Sequence, residues 1–406
     1  MGAEIRKIIK FFINHPWVVI LILTLFGFFS RLYHLGQIKE QIMDEIYFVT
    51  FARDYLNGIH FFDVHPPLGK LIIALSIKIF GDTYFAARLM PAVFGTALIP
   101  LVYLLARELG GKIVGIFAAA IVTFDGMLLV YSRTGMIDIF MAFFIVSAFY
   151  FFLKYANQEK IFPFLPLAGI ALGLAASIKY IGGLTLFTFV LVALLKKIPL
   201  RRHVIYLSLF VLFIPVVVYL VFFLFDFGFR NFIPDVYHWH LQSLTYNLNL
   251  QEGHPYGSKW WTWFLLLRPI WLYFKDVNGS FIGVDGIGNP IAWWSALLVV
   301  PALIWKTVRK DQTSQLILGA FLILFIPWAF IGRVVFIYHA IPAFIFVAIG
   351  TAYLLKALLT DPWGKITVGA YFSVLIAFYI FFLPIWMGFP LESSKFYLRM
   401  WLKSWI

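Results

Sequence analysis

The amino-acid sequence predicts an all-α, polytopic membrane protein, and three observations carry that reading. Of 406 residues, 62% are hydrophobic and 13% are charged, against roughly 45–50% and about 25% in soluble domains. Apolar runs long enough for a helix to cross roughly 30 Å of hydrocarbon recur along nearly the whole chain. These runs are continuous rather than alternating, which excludes a closed barrel and leaves helices as the way to satisfy every backbone group in lipid.

Taken in order, the expected spans are about 16–33, 84–106, 113–131, 137–153, 162–178, 180–195, 204–226, 291–305, 315–331, 334–355 and 366–388, about eleven helices in all. The first apolar run, Pro16 to Phe29, follows Arg6, Lys7 and Lys10 as a signal peptide would. No small-residue cleavage site ends it, so it is expected to be retained as the first span. Zero cysteines exclude disulfides, thiolate metal sites and cysteine nucleophiles. The net charge of +13 is scattered between apolar spans and forms no basic stripe, which argues against a nucleic-acid partner.

Those scattered cations read as topology signals. The segment 66–80 is apolar but short and carries Lys70 and Lys78. If it lies along the interface, Arg107, Lys112, Lys154, Lys160, the cluster Lys196, Lys197, Arg201 and Arg202, and Lys306, Arg309, Lys310, Lys356 and Lys365 all fall on the side of the N-terminus. That side is then cytoplasmic by the positive-inside rule. One integral-membrane domain, 1–406, is therefore expected, with two large external loops at 34–83 and 227–290.

In the first loop, Phe48, Phe51, Ala52, Tyr55 and Leu56 follow the spacing of an amphipathic helix that Asn57-Gly58 ends. Asp44 stands where an N-cap belongs. A carboxylate partly desolvated at an interface also suits a general base that takes a proton from a hydroxyl. Glu45 either helps to place an acceptor or is a solvated first-turn residue favoured by the helix dipole. In His65-Pro66-Pro67-Leu68-Gly69-Lys70 a stiff turn sets an imidazole and an ammonium side by side, a pair able to hold a lipid phosphate. Arg88, expected at a span's external mouth, either snorkels to the interface or binds phosphate through its guanidinium fork.

Together these residues resemble the protein O-mannosyltransferases, integral-membrane glycosyltransferases of the C-type fold. The resemblance rests on Asp44-Glu45, His65 to Lys70, and Arg88 ahead of Pro91-Ala92. It continues through Ser132-Arg133 with Asp138, His254-Pro255-Tyr256-Gly257-Ser258-Lys259-Trp260-Trp261-Thr262-Trp263, Arg268-Pro269, Gly288-Asn289-Pro290 with Trp293-Trp294, and Arg333 to His339. It implies a dolichyl- or polyprenyl-phosphate mannose donor and Ser/Thr acceptors on extracytoplasmic protein. Two departures stand out. Residues 227–290 are too few for the β-trefoil domain of eukaryotic members, which points to a prokaryotic type, and Tyr338-His339 stands where the family commonly has two tyrosines.

On this reading Asp44 deprotonates the acceptor hydroxyl, which inverts the anomeric carbon, while Arg88, with His65 or Lys70 and Arg333, neutralises the departing phosphate. No cofactor is required. His238, His240 and His254 with nearby carboxylates are the candidate ligands if a divalent metal binds. Arg133 and Asp138 form either an ion pair that fixes helix packing or a sugar-binding support. The loop 227–290, dense in Trp and Tyr, is either an interfacial belt or an acceptor groove in which His254, Tyr256 and Trp260 meet the polypeptide. The alternatives are a related enzyme for another sugar or a lipid or glycan acceptor, a secondary transporter, and a non-catalytic scaffold. The transporter is disfavoured because the carboxylates lie outside the spans.

Overall fold

The computed structural model describes residues 14–250 and 252–406. Arg6, Lys7 and Lys10 lie outside the described residues. Among those described, seven helices are long and apolar enough to cross a membrane: Tyr84–Gly110, Asp138–Gln158, His203–Phe227, Pro290–Val308, Gln312–Phe330, Ile337–Leu358 and Pro362–Met387. Shorter apolar helices, Pro16–Leu32, Lys112–Thr123, Phe164–Ile178 and Tyr180–Lys196, occupy the places of the other four expected spans. By length and composition alone seven of the eleven expected spans qualify as crossings, and the other four are met by shorter apolar helices.

Local chemistry explains several boundaries. The helix Glu45–Asn57 ends at Gly58, whose φ of +67° a side chain would resist. Tyr84–Gly110 starts from Thr83, whose hydroxyl accepts from the Ala86 amide at 3.1 Å. The expected span 113–131 is broken at Asp125, which caps Gly126–Tyr131 through the Leu128 amide at 2.9 Å. Its other oxygen accepts from the Asn289 amide at 3.0 Å and the Trp293 indole at 2.8 Å, pinning the start of Pro290–Val308 to the bundle. The doubtful segment forms Leu68–Phe80, 13 residues and so about 20 Å long, short of the hydrocarbon thickness. It packs on Glu45–Asn57 and Tyr84–Gly110.

The architecture is not purely helical. Strands β1 (Ile270–Val277) and β2 (Ser280–Gly286) form an antiparallel hairpin, and β3 (Leu391–Glu392) adds to β2. Asn278 and Gly279 turn the hairpin with φ of +52° and +79°, the left-handed pair that matches strand twist. Trp271 and Tyr273 thus lie on a strand.

The two large loops meet at one end of the bundle. Helix Phe232–Asn249 reaches the first loop through the Ser243 hydroxyl, which donates to the Val64 carbonyl at 3.0 Å. Lys275 pairs with Glu40 at 2.7 Å, and the Tyr55 hydroxyl donates to Asp226.

Candidate functional site

Asp44 immediately precedes the helix Glu45–Asn57, yet its side chain makes no capping hydrogen bond, so the capping account fails. Its carboxylate has no hydrogen-bond or ion-pair partner among the described residues. Burial pushes its pKa up to about 6; Lys179 opposes the rise, and the like charges of Asp138 and Asp63 add to it. At neutral pH such a group is ionised and has a proton affinity far above that of a free aspartate, the condition a general base needs.

Glu45 is neither solvated nor available to an acceptor, a correction to both sequence readings. It is 1% exposed. It receives Nε and Nη2 of Arg88 at 2.8 Å each, the Ile42 amide at 3.0 Å and the Gly135 amide at 2.6 Å. Arg88 is corrected with it. Its remaining donors go to the carbonyls of Leu35, Ile38 and Glu40, so all five guanidinium N–H groups are engaged and none is left for a phosphate. The pair instead ties the 84–110 helix to the segment leading into Asp44. Asp44 is thus held by its neighbour's anchorage.

Arg133 and Asp138 do not pair. Nη1 of Arg133 donates to the carbonyls of Ser30, Arg31 and Tyr33 at 2.7–3.0 Å, closing the end of the helix Pro16–Leu32. Asp138 instead holds Lys179 at 2.8 Å, with side chains 1% and 8% exposed. Lys179 was missed in the sequence because it closes an apolar run. The break Tyr180-Ile181-Gly182-Gly183 behind it is the signal that marks it as a helix end.

Lys179 lines a cavity of about 770 Å³ with His65, His339 and Arg333 among mostly apolar chains such as Ile181, Leu184 and Leu248. Arg333 makes no hydrogen bond or ion pair with another described residue. His65 is pushed down to about 3 by burial, with Lys179 adding to the effect, so its ring is neutral and offers one donor. The Lys179 ammonium lies 5.4 Å from the Tyr338 ring and 5.8 Å from Phe48. An apolar chamber lined by two cations and the neutral His65 imidazole fits a lipid with an anionic head.

Lys70 faces elsewhere. Its ammonium binds Asp63 at 2.6 Å and the His65 carbonyl at 2.7 Å. It lines a separate cavity of about 100 Å³ with Tyr55, Asp63, Asp226 and Trp239. His65 belongs to the walls of both cavities.

Of the expected acceptor residues, Trp260 lines an open groove of about 340 Å³ with Lys259, Trp261, Trp328 and Arg333. His254 is exposed beside it, its ring 5.1 Å from Phe336, and Tyr256 lies under the Arg268 guanidinium at 5.2 Å. Trp328, Ile331 and Arg333 are common to this groove and the large cavity. The candidate metal ligands do not converge. His240 is bonded to the Tyr219 hydroxyl and the Val236 carbonyl, and no three acidic or imidazole side chains among the described residues could hold an ion.

The sequence matches the family described as dolichyl-phosphate-mannose-protein mannosyltransferase over residues 21–83 and 76–229. Residues 232–405 match the C-terminal four-transmembrane region of protein O-mannosyltransferase. It is 25% identical to the polyprenol-phosphate-mannose–protein mannosyltransferase of Mycobacterium tuberculosis (strain CDC 1551 / Oshkosh), covering 96% of this chain and 92% of that one. It is 28% identical to the protein of the same name from Mycolicibacterium smegmatis (strain MKD8), covering 96% and 93%. In fold it resembles the Saccharomyces cerevisiae protein O-mannosyltransferase Pmt1–Pmt2 complex bound to the sugar donor, with a TM-score of 0.84 at 16% identity over 96% of this chain and 92% of that one. ArnT from Cupriavidus metallidurans bound to undecaprenyl phosphate gives a TM-score of 0.57 at 16% identity, covering 88% and 63%.

Proposed function

The chain belongs to the dolichyl-phosphate-mannose-protein mannosyltransferase family, and from that premise we propose that it transfers mannose, with inversion, from a polyprenyl-phosphate carrier to Ser/Thr hydroxyls of extracytoplasmic protein. The observation that carries the reading is an unpaired Asp44 carboxylate, ionised at neutral pH, within electrostatic reach of Lys179 on the wall of a lipid-sized, cation-bearing cavity.

The acceptor hydroxyl oxygen bonds to the anomeric carbon from the face opposite the phosphate, and its proton passes to Asp44. The bond from the anomeric carbon to the phosphate oxygen breaks, and the electron pair stays on the carrier's phosphate. Lys179, which Asp138 holds in place, and Arg333 offset that growing charge, and His65 contributes a neutral donor. Preorganised contacts of this kind each account for about 10²–10³ in turnover. Glu45 and Arg88 act through position. The groove of Trp260, Trp261 and Arg333, flanked by His254 and Tyr256, receives the polypeptide.

The loops 34–83 and 227–290 then face the outside of a prokaryotic cell membrane, with the N-terminus cytoplasmic. The distribution of Lys and Arg supports that orientation. The test is incubation of the purified protein with radiolabelled polyprenyl-phosphate mannose and a Ser/Thr-rich peptide. Alkali-labile label on the peptide is expected. Label that never leaves the carrier, with an active family member as control, overturns the reading.

A further inference from the structure

The open groove of Trp260 and Trp261 is held in shape from outside itself. Gly257 and Ser258 belong to its wall. The chain that leads into them lies at the surface: Gly253, His254 and Pro255 are exposed, and a side chain built on Gly253 would meet nothing within 4 Å. Ser258 is fixed on its own side, its amide donating to the Val335 carbonyl at 2.9 Å and its hydroxyl accepting from the Trp263 indole at 2.9 Å. Pro255 depends on a residue thirteen positions away. Its carbonyl accepts Nε and Nη2 of Arg268 at 3.2 and 3.1 Å, and the same guanidinium lies 5.2 Å from the Tyr256 ring.

Arg268 also reaches the other way. Its Nη1 donates to the carbonyls of Ser404 and Ile406 at 2.5 and 3.1 Å. Those carbonyls are stationary because residues 401–406 are fastened to the fold. Trp405 is 0% exposed; its indole donates to the Leu266 carbonyl at 2.6 Å, and its carbonyl accepts from the Trp271 indole at 2.7 Å. The Ser404 hydroxyl donates to the Leu267 carbonyl. The Trp401 ring lies 5.8 Å from that of Trp405 and 4.8 Å from Phe382 in the helix Pro362–Met387. A guanidinium suits the junction because its N–H groups diverge in fixed directions, which a flexible ammonium does not reproduce.

A segment with so few contacts opens locally at little free-energy cost. A loop that must be ordered as its ligand arrives also binds less tightly than one already held in the binding shape. Arg268 lies outside the walls of the large cavity, so its hold on Pro255 bears on the groove and not on the carrier. We propose that Arg268 is a positioning residue for the polypeptide acceptor, and that residues 401–406 are the strap that steadies it: the bracket fixes Pro255 and Tyr256 so that Gly257 and Ser258 enter the groove wall ready for a peptide. The assignment rests on reading the groove as the polypeptide's site.

The experiment measures initial rates for the full chain in nanodiscs, varying polyprenyl-phosphate mannose and a Ser/Thr-rich peptide in turn, for the wild type, Arg268→Ala, Trp405→Phe and the two together. Hydrogen exchange in residues 253–258 is followed in parallel. Arg268→Ala should raise the peptide KM about 5–10-fold, leave kcat and the donor KM within about twofold, and speed exchange in that loop. Trp405→Phe keeps a buried ring but loses the bond to Leu266, and should shift the same quantities less. The double variant should match Arg268→Ala, because the strap acts through that guanidinium. Arg268 is half-buried, so Arg268→Ala decides the matter if Trp405→Phe fails to fold. An unchanged peptide KM in Arg268→Ala, a rise in both KM values, exchange no faster than in the wild type, or losses that add in the double variant would overturn the bracket. His254→Ala with Tyr256→Ala separates it from the groove itself. A raised peptide KM there but not in Arg268→Ala overturns the bracket alone, whereas no rise in either removes the groove from the proposed function as well.

Discussion

Replacing Asp44 with asparagine separates function from stability in opposite directions. The carboxylate is carried from the ordinary 3.8 to about 6, chiefly by burial. At about 1.4 kcal/mol per tenfold change in proton affinity, keeping it charged in the folded state costs up to about 3 kcal/mol. Because the folded value is the higher one, that cost is full above about pH 6 and fades as pH falls toward 3.8. Asparagine is nearly isosteric, carries no charge, and forfeits no cap, since Asp44 makes none. The variant should therefore unfold at a higher temperature than the wild type at pH 8, with the difference gone near pH 4. Turnover should fall by about 10²–10⁴, the usual contribution of a positioned base. Thermal unfolding in detergent at both pH values, alongside single-turnover transfer, measures the two effects. Turnover within tenfold of wild type refutes the base, and a variant less stable at pH 8 refutes the electrostatic account.

Activity should rise with pH along a limb centred near 6, set by Asp44, and His65 should add no second limb between pH 5 and 8 because it stays neutral there. Rate–pH profiles with saturating donor check this. Arg88→Ala should cost about 3–5 kcal/mol of stability by leaving Glu45 buried and unpaired, and thermal melts should show it; a well-folded variant with a donor-specific defect would restore the phosphate role. Lys179→Ala should lower turnover about 10²–10³-fold and raise the KM for donor with peptide KM unchanged in initial-rate assays, whereas Arg333→Ala should lower turnover similarly and raise the KM for both substrates. His254→Ala with Tyr256→Ala should raise KM for peptide alone, and a defect confined to donor would move the 227–290 loop over the carrier.

Periodicity and turn residues made the helices readable. The Asn57-Gly58 stop holds to the residue because it depends on one local dihedral, and the seven long spans fall close to their expected places. Partnerships between charges were not readable. Glu45 and Arg88 are 43 positions apart and Asp138 and Lys179 are 41 apart. Only the packing of helices decides which charge neutralises which, so nothing in the sequence tells whether Arg133 pairs with Asp138, and in the fold it closes another helix instead. The hairpin was legible in principle through Asn278-Gly279, but the aromatic density around it imitates a membrane belt. The cavities themselves arise where three or more elements meet, and no window of sequence contains them.

The shared wall of Trp328, Ile331 and Arg333 gives the large cavity and the open groove a physical means of thermodynamic linkage. A ligand that draws the Arg333 guanidinium toward one side changes what the other side offers, and linkage requires the effect to be reciprocal. On the proposed function donor and acceptor occupy different cavities, and each would act on the other through this one side chain. Spent carrier left in the chamber would retain the pull on Arg333 and keep the groove set for a polypeptide that can no longer be glycosylated. The pace of turnover is then tied to how readily the emptied lipid slips back into the bilayer.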